Sequence, residues 1–170
     1  MKFIMLNGSS CSGKSELLRK VLEKKDRYYK LAYDSQKWLF SKYTPDTHFQ
    51  DVRKIQKALA ECVCGMGYNI ICDSALYRDN REELLDIPRK FGYEVIEINL
   101  EAEYPVLEKR FDQRMIDAVT NPRIRMSNRS KDRFKELYNI FQTEKNPEAM
   151  VIRTDTQSLE QAKEELFKFI

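Results

Sequence analysis

The sequence predicts an α/β protein in which a parallel β-sheet lies between two layers of helices. Short apolar stretches of strand length alternate along the chain with longer segments whose apolar residues repeat at helical spacing. The 170 residues contain no repeat, no low-complexity tract and no change of composition. Residues 1–170 are therefore predicted to form a single domain with room for a full core.

Five stretches have the length and the apolar content of buried strands. They are residues 2–6, 28–33, 69–72, 95–100 and 150–152. Amphipathic helices are predicted at residues 15–24, 35–40, 51–66, 80–91, 103–119, 129–143 and 158–170. Residues 44–47 contain a proline and are predicted to form a turn. Strands that alternate with helices in this way favour a parallel sheet, because parallel strands are joined by crossover connections.

Composition and charge exclude several classes of protein. The net charge of +3, from 30 basic and 27 acidic residues, is too small to indicate nucleic-acid binding by itself. The N-terminal apolar stretch from Phe3 to Leu6 is too short for a signal peptide or a membrane span, so we expect a cytoplasmic protein without membrane contact. The four cysteines lack C-x-x-C spacing and His48 is the only histidine, which argues against a zinc site.

The segment from Gly8 to Ser15, GSSCSGKS, fits the pattern G-x-x-x-x-G-K-[ST] between a predicted strand and a predicted helix. In that context the backbone N–H groups of the loop surround phosphates, and the helix N-terminus adds positive potential. We therefore predict a nucleoside triphosphate, ATP by default, with Lys14 on its β- and γ-phosphates and Ser15 on Mg²⁺. Nucleotide contacts are predicted for Gly8, Ser10, Cys11, Ser12, Gly13, Lys14, Ser15 and Leu17.

Two aspartates follow predicted strands, where the active crevice of an open α/β sheet lies. Asp34 follows residues 28–33 and is placed to accept the proton of an acceptor hydroxyl as general base. Asp34 or Ser35 could equally cap the next helix. Asp73 follows residues 69–72 and resembles a Walker B aspartate that holds Mg²⁺ directly or through water. A contact to the acceptor or a plain turn residue are alternatives for Asp73.

Positive charge is concentrated between Lys109 and Arg133, where eight basic residues face three acidic ones. An arginine-bearing lid is predicted at approximately residues 115–130, because this segment joins two helices. Arg110 and Arg114 share a helix face and are predicted to neutralise charge on the transferring phosphoryl group. Arg123 and Arg125 are the next candidates and are predicted to contact the nucleotide. Solvated ion pairs explain part of this charge.

The residue after Asp73 is Ser74 rather than a second carboxylate. Because ATPases that activate water commonly need that second carboxylate, the sequence favours phosphoryl transfer to a hydroxyl-bearing acceptor over hydrolysis. Two alternatives remain open. One is a nucleotide-dependent switch or regulatory ATPase that binds a protein partner, and the other is a toxin-like kinase that acts on a nucleotide sugar.

With these motifs the chain resembles the small P-loop kinases related to polynucleotide 5′-kinase, zeta toxin and chloramphenicol phosphotransferase. The matching segments are residues 4–10, 12–15, 34–35, 70–74, 107–114 and 151–156. The resemblance implies a three-layer P-loop NTPase fold with a five-stranded parallel sheet, with the phosphate loop after a central strand and with Asp34 as the catalytic base. Polynucleotide kinases carry an arginine shortly after this aspartate, where this chain has Lys37. Because lysine lacks the bidentate grip of arginine on phosphate, a nucleic-acid 5′ end is not favoured as the acceptor.

Overall fold

The computed structural model describes residues 1–73, 78–126 and 128–170, and only the backbone of residues 78 and 79. Within these residues strands and helices alternate. The strands are β1 (Lys2–Asn7), β2 (Tyr28–Ala32), β3 (Asn69–Asp73), β4 (Glu94–Glu101) and β5 (Met150–Arg153). The helices are α1 (Lys14–Lys24), α2 (Tyr33–Lys37), α3 (Pro45–Gly65), α4 (Arg78–Lys90), α5 (Tyr104–Thr120), α6 (Lys131–Glu144) and α7 (Leu159–Phe167).

The strands form one parallel sheet in the order β2-β3-β1-β4-β5. Strand β1 is central, and its residues from Phe3 to Leu6 have no exposed surface. A strand of a parallel sheet that is covered on both faces needs such a continuous apolar run. The predicted α/β class and five-stranded parallel sheet are confirmed, and the loop of residues 8–15 follows the central strand.

Helices cover both faces of the sheet and complete the three layers. Helices α1 and α7 pack on one face, where Leu18, Val21 and Ala162 join the strand residues in a core cluster. Helices α3 and α4 pack on the other face, where Ala60 and Leu84 belong to a second cluster. Burial of these apolar stripes on both faces is what makes the sheet the centre of a single core.

Helices α5 and α6 pack against each other beside the loop of residues 8–15. Phe111 of α5 stacks on Phe134 of α6 with ring centroids 4.4 Å apart. The apolar cluster around this pair also contacts Cys11. The residues that follow β4 are thereby fixed next to the loop that follows β1.

Several sequence-based boundaries differ from the structure. Helix α3 begins at Pro45, so the prediction of a turn at residues 44–47 is wrong. Proline is favoured in the first turn of a helix, where its missing N–H has no partner to lose. Asp34 was expected after a strand that ends at Tyr33, but β2 ends at Ala32 and Asp34 lies in the first turn of α2. Neither Asp34 nor Ser35 caps this helix, because the N-cap position is Ala32.

The segment predicted as a lid contains both helix and loop. Helix α5 continues to Thr120, and residues 121–130 connect it to α6. Ser127 lies outside the described residues, as does Ser74, on which the preference for phosphoryl transfer over hydrolysis depended.

Candidate functional site

The loop between β1 and α1 turns sharply at the carboxyl edge of the sheet. Gly13 has φ +95°, a left-handed conformation that glycine adopts without a steric penalty, and Cys11 has φ 65°. The Lys14 ammonium donates hydrogen bonds to the carbonyl oxygens of Gly8 at 2.6 Å and Ser9 at 2.8 Å. Lys14 therefore folds over its own loop and lies where phosphates bound by such a loop would sit.

Gly8 is required by close packing. A Cβ atom at this position would lie 2.5 Å from Ser12 Oγ and 2.8 Å from the carbonyl oxygen of Leu100. The second contact is to backbone at the carboxyl end of β4, which cannot move without disturbing the sheet. The Ser12 hydroxyl is buried and has no hydrogen-bond partner among the residues that the structure describes. The base of the loop therefore packs directly on the sheet.

The Lys14 ammonium is buried close to two negatively charged side chains. Burial lowers the pKa of the Lys14 ammonium, and the negative charges of Asp73 and Asp34 oppose that shift. Both carboxylates act on the same lysine although the three residues come from β3, α2 and α1. The fold has therefore brought together three of the residues for which the sequence predicted chemical roles.

Ser15 and Asp73 form a pair of oxygen ligands next to Lys14. The Ser15 hydroxyl donates a hydrogen bond of 3.0 Å to Asp73 Oδ2. A hydroxyl and a carboxylate are the hard oxygen donors that Mg²⁺ prefers, together with waters and phosphate oxygens. The residues present therefore fit a magnesium ion held between Ser15 and Asp73.

Asp34 lies one turn of α2 before Lys37, and the two side chains form an ion pair. Lys37 Nζ is 2.5 Å from Asp34 Oδ1. The Lys37 side chain is only 6% exposed, whereas that of Asp34 is 66% exposed. The ammonium also lies over the rings of Trp38 at 4.9 Å, Tyr33 at 5.8 Å and Tyr43 at 6.0 Å. The buried ammonium of Lys37, which is enclosed by aromatic rings, therefore fixes the exposed carboxylate of Asp34.

A cavity of about 260 Å³ joins these groups. Its lining includes the loop residues from Gly8 to Ser10 and Lys14 on one side and Asp34, Lys37 and Asp73 on another. The remaining lining residues are Asn7, Tyr33, Phe49, Arg81, Leu137, Ile140, Phe141, Glu144 and Lys145. The loop, the aspartates and helix α6 thus line one half-open cleft, which is the candidate active site.

Arg110 and Arg114 of helix α5 both reach the phosphate loop. The Arg110 guanidinium donates to the carbonyl oxygen of Cys11 at 3.4 Å and to Thr154 Oγ1 at 3.2 Å, and it also binds the carbonyl oxygen of Thr154. Arg114 lies beside the Cys11 thiol. Burial raises the pKa of that thiol, against the opposing charges of Arg114, Lys14 and Arg110. Both arginines therefore border the loop, and Arg110 also contacts Thr154, which follows β5.

The two arginines of the predicted lid differ in their contacts. The Arg125 guanidinium lies 5.6 Å from the centroid of the Trp38 ring, and the carbonyl oxygen of Arg125 accepts a 3.1 Å hydrogen bond from Arg114. Arg125 thus bridges helix α5 and Trp38, which lies close to Asp34 in the chain. Arg123 is exposed, and its backbone N–H donates to the Asn121 side chain at 3.0 Å. The structure does not bring the Arg123 side chain to the cavity lining.

Leu17 was predicted to contact the nucleotide, but in the structure it is a core residue. Its side chain has no exposed surface and belongs to the cluster under helix α1. Its backbone N–H is already engaged, because it donates to the carbonyl oxygen of Gly13 at 3.1 Å. The helical periodicity that placed Leu17 on an apolar stripe was the informative signal for this residue.

The sequence-based predictions did not include the wall that helix α6 contributes to the cavity. Leu137, Ile140, Phe141 and Glu144 recur at helical spacing, which the pattern identifies as an inward stripe but not as a cavity wall. All four are only half-buried, while Phe134 is the one buried residue of the helix. An apolar stripe that remains half-covered distinguishes a cavity wall from a core, and only the tertiary structure shows that.

The fold and the loop geometry define a P-loop nucleotide-binding protein, and sequence comparison then gives its family. The family described as an AAA domain, AAA_33, matches residues 3–138. Because this match covers most of the chain, the protein belongs to that family, which implies nucleotide binding. No curated protein matches the sequence.

Solved structures with a similar fold include kinases. A sugar kinase from Janibacter sp. HTCC2649 superposes with a TM-score of 0.66 at 16% identity, covering 99% of this chain and 93% of that one. The APS kinase CysC of Mycobacterium tuberculosis, solved with AMPPNP and APS, gives 0.63 at 17% identity over 99% and 96%. A chain of the Pnkp1/Rnl/Hen1 RNA repair complex gives 0.69 at 17% identity, over 84% of this chain and 44% of that one. The chain therefore has the fold of the small P-loop kinases.

No helix among the described residues is long and apolar enough to cross a membrane.

Proposed function

We propose that the protein is an ATP- and Mg²⁺-dependent kinase that transfers the γ-phosphoryl group to a hydroxyl of a small molecule or of a nucleic-acid 5′ end. One observation carries this proposal: the phosphate loop and the Asp34 carboxylate line the same cavity. The Asp34 side chain lines that cavity and is 66% exposed, so its carboxylate can meet an acceptor hydroxyl next to the phosphates. The kinase folds of the similar structures support the same reaction class.

In the proposed reaction Asp34 accepts the proton of the acceptor hydroxyl. The hydroxyl oxygen forms a bond to the γ-phosphorus while the bond from that phosphorus to the β,γ-bridging oxygen breaks, which leaves ADP. Lys37 keeps the Asp34 carboxylate directed into the cavity through their 2.5 Å contact. Positioning of this kind accounts for much of the catalysis of phosphoryl transfer, because the protein makes no covalent bond itself.

Positive groups on the loop and on helix α5 would stabilise the phosphoryl charge. Lys14 exchanges its contacts with Gly8 and Ser9 for phosphate oxygens, and Gly13 with the other loop residues presents backbone N–H groups. Arg110 and Arg114 add charge from the other side of the loop. Mg²⁺ held by Ser15 and Asp73 would neutralise charge on the β- and γ-phosphates.

The test is transfer of label from γ-labelled ATP to a panel of acceptors. The panel contains DNA and RNA with 5′-hydroxyl ends, nucleosides, nucleotide sugars and hydroxylated aromatic compounds. Asp34→Asn should lower the turnover number by about 10² to 10⁴ while ATP affinity is retained. Asp26→Asn is the matched control, because exposed Asp26 precedes β2 at the opposite edge of the sheet. Full activity of Asp34→Asn would remove the base assignment, and label recovered only as free phosphate would favour a regulatory ATPase.

A further inference from the structure

Apart from the phosphate loop, two groups of apolar side chains line the cavity and form its walls. We call the space between them the acceptor compartment. Tyr33 and Phe49 line one wall, from α2 and α3, and Leu137, Ile140 and Phe141 of α6 line the other. Aromatic and branched side chains of this kind bind an apolar body by removing its surface from water.

The cations of this compartment are already neutralised. Apart from Lys14 at the phosphate loop, the cationic lining residues in the described part of the chain are Lys37, Arg81 and Lys145. Lys37 is paired with Asp34 at 2.5 Å. Each of the other two is held by a carboxylate of strand β4, behind the lining.

Lys145 is held most directly. Its ammonium lies 2.7 Å from Glu101 Oε1 and also donates to Gln142 Oε1 at 2.9 Å. The side chains of Lys145 and Glu101 are only 25% and 16% exposed. An anion that entered the compartment would have to compete with a partly desolvated carboxylate for this cation.

Arg81 is held by a network between the end of β1 and the middle of β4. Its Nε lies 3.3 Å from Glu97 Oε2, an ion pair without hydrogen-bond geometry, and its Nη1 donates to the carbonyl oxygen of Glu144 at 3.1 Å. Glu97 in turn accepts from the Asn146 amide at 2.8 Å and from the Asn7 amide at 3.4 Å. The carboxylate beside Arg81 is thus itself fixed in place.

The balance of charge therefore opposes an anionic acceptor. Among the described residues three carboxylates line the cavity, namely Asp34, Asp73 and Glu144, and three more, Glu82, Glu97 and Glu101, pair with the lining cations. Four lining cations face these six anions, and a triphosphate with its Mg²⁺ would add further net negative charge. A second anionic group in the same space would gain no unpaired cation and would meet repulsion from the phosphates.

We propose that the acceptor is a small, uncharged compound with an apolar or aromatic body and a hydroxyl group. This inference rests on the proposed kinase function and selects among its acceptors. The apolar walls hold the body of the compound, and Asp34 meets its hydroxyl. The paired cations discriminate against phosphorylated, sulfated or carboxylated alternatives, including nucleic-acid ends and nucleotide sugars.

Binding of two matched probes tests the inference independently of transfer. The probes are benzyl alcohol and para-hydroxymethylbenzoate, which differ by one carboxylate, and binding is measured by ligand-observed NMR on protein loaded with Mg²⁺ and AMPPNP. We expect the neutral alcohol to bind at least about tenfold more tightly than the carboxylate. Phe141→Ala should weaken binding of the alcohol, because it removes part of the apolar wall.

A variant that removes the carboxylate partner of a lining cation tests the inference in the opposite direction. Glu101→Gln leaves Lys145 without its carboxylate, so binding of para-hydroxymethylbenzoate should strengthen by about tenfold while that of benzyl alcohol changes little. Glu97→Gln makes the same test at Arg81 if Glu101→Gln does not fold, and melting temperatures show which variants are intact. Equal or tighter binding of the carboxylate by the wild type, or binding of neither probe, overturns the inference.

The labelled-ATP panel separates this inference from the proposed function. Label that passes chiefly to an anionic acceptor would leave the kinase function standing and refute the uncharged acceptor. Selective binding of benzyl alcohol with no acceptor ever labelled would support the compartment and refute the kinase.

Discussion

The ammonium of Lys37 lies 2.5 Å from the carboxylate of Asp34, one helical turn apart in α2, and is enclosed by three aromatic rings. The pair joins a buried cation to a carboxylate that faces the cavity. Because the lysine is the buried partner, it fixes the direction of the aspartate rather than the reverse.

This relationship predicts separate effects of Lys37→Met on catalysis and stability. Turnover should fall by about 10- to 100-fold, because the Asp34 carboxylate is no longer held in one orientation. Stability should be maintained, since methionine fills the apolar enclosure and Asp34, at 66% side-chain exposure, remains hydrated. Steady-state kinetics and thermal unfolding measure the two effects. Lys37→Arg retains the charge and is the control, and wild-type turnover of Lys37→Met would contradict the positioning role.

Asp73→Asn should raise the Mg²⁺ concentration needed for half-maximal nucleotide binding by about 10- to 100-fold. The physical reason is that the Ser15–Asp73 pair loses its negative charge while the 3.0 Å hydrogen bond can persist to the amide oxygen. Titration of a fluorescent ATP analogue at increasing Mg²⁺ measures this shift. Asp112→Asn is the control, because its carboxylate is paired with Lys131 on the exposed side of α5. An unchanged Mg²⁺ requirement would mean that Asp73 is not part of a metal site.

Substitution of alanine for Gly8 and for Gly13, both in the phosphate loop, should lower the free energy of unfolding by different amounts. Gly8→Ala should lower the free energy of unfolding by about 2–4 kcal/mol, because its Cβ would lie 2.8 Å from the backbone oxygen of Leu100. Gly13→Ala should lower it by about 1 kcal/mol, because no atom lies within 4 Å and only the positive φ of +95° is strained. Urea denaturation monitored by circular dichroism compares them. A larger loss for Gly13→Ala would contradict the packing argument.

Cys11 should react slowly with iodoacetamide at neutral pH, more slowly than exposed Cys62. Because burial raises the pKa of the Cys11 thiol, less of the reactive thiolate is present, and the rate should rise as pH increases past the ordinary range of cysteine. Arg114 lowers this pKa, so Arg114→Gln should slow alkylation further. Mass spectrometry of peptides from timed reactions measures both rates. Faster modification of Cys11 than of Cys62 would overturn this prediction.

The class of fold and its strand number were predictable because their signals are local. The run from Phe3 to Leu6 is too short and too apolar to be anything but a buried strand, and the loop motif follows it at once. Boundaries were less predictable, as α3 shows by starting at Pro45, because a proline is typical of both a turn and a first helical turn.

The sequence by itself determined the nucleotide loop, since the spacing of Gly8, Gly13 and Lys14 is set by a backbone path of eight residues. Only the tertiary structure decided what faces that loop. Asp34, Asp73 and the wall of α6 meet because parallel strands bring their carboxyl ends to one edge, and α6 packs there through Phe134. The pairing of Lys145 with Glu101, 44 residues away, is of the same kind. In such ion pairs the two partners lie close together in the folded protein but far apart in the sequence. The acceptor compartment could therefore not be recognised from residue spacing alone.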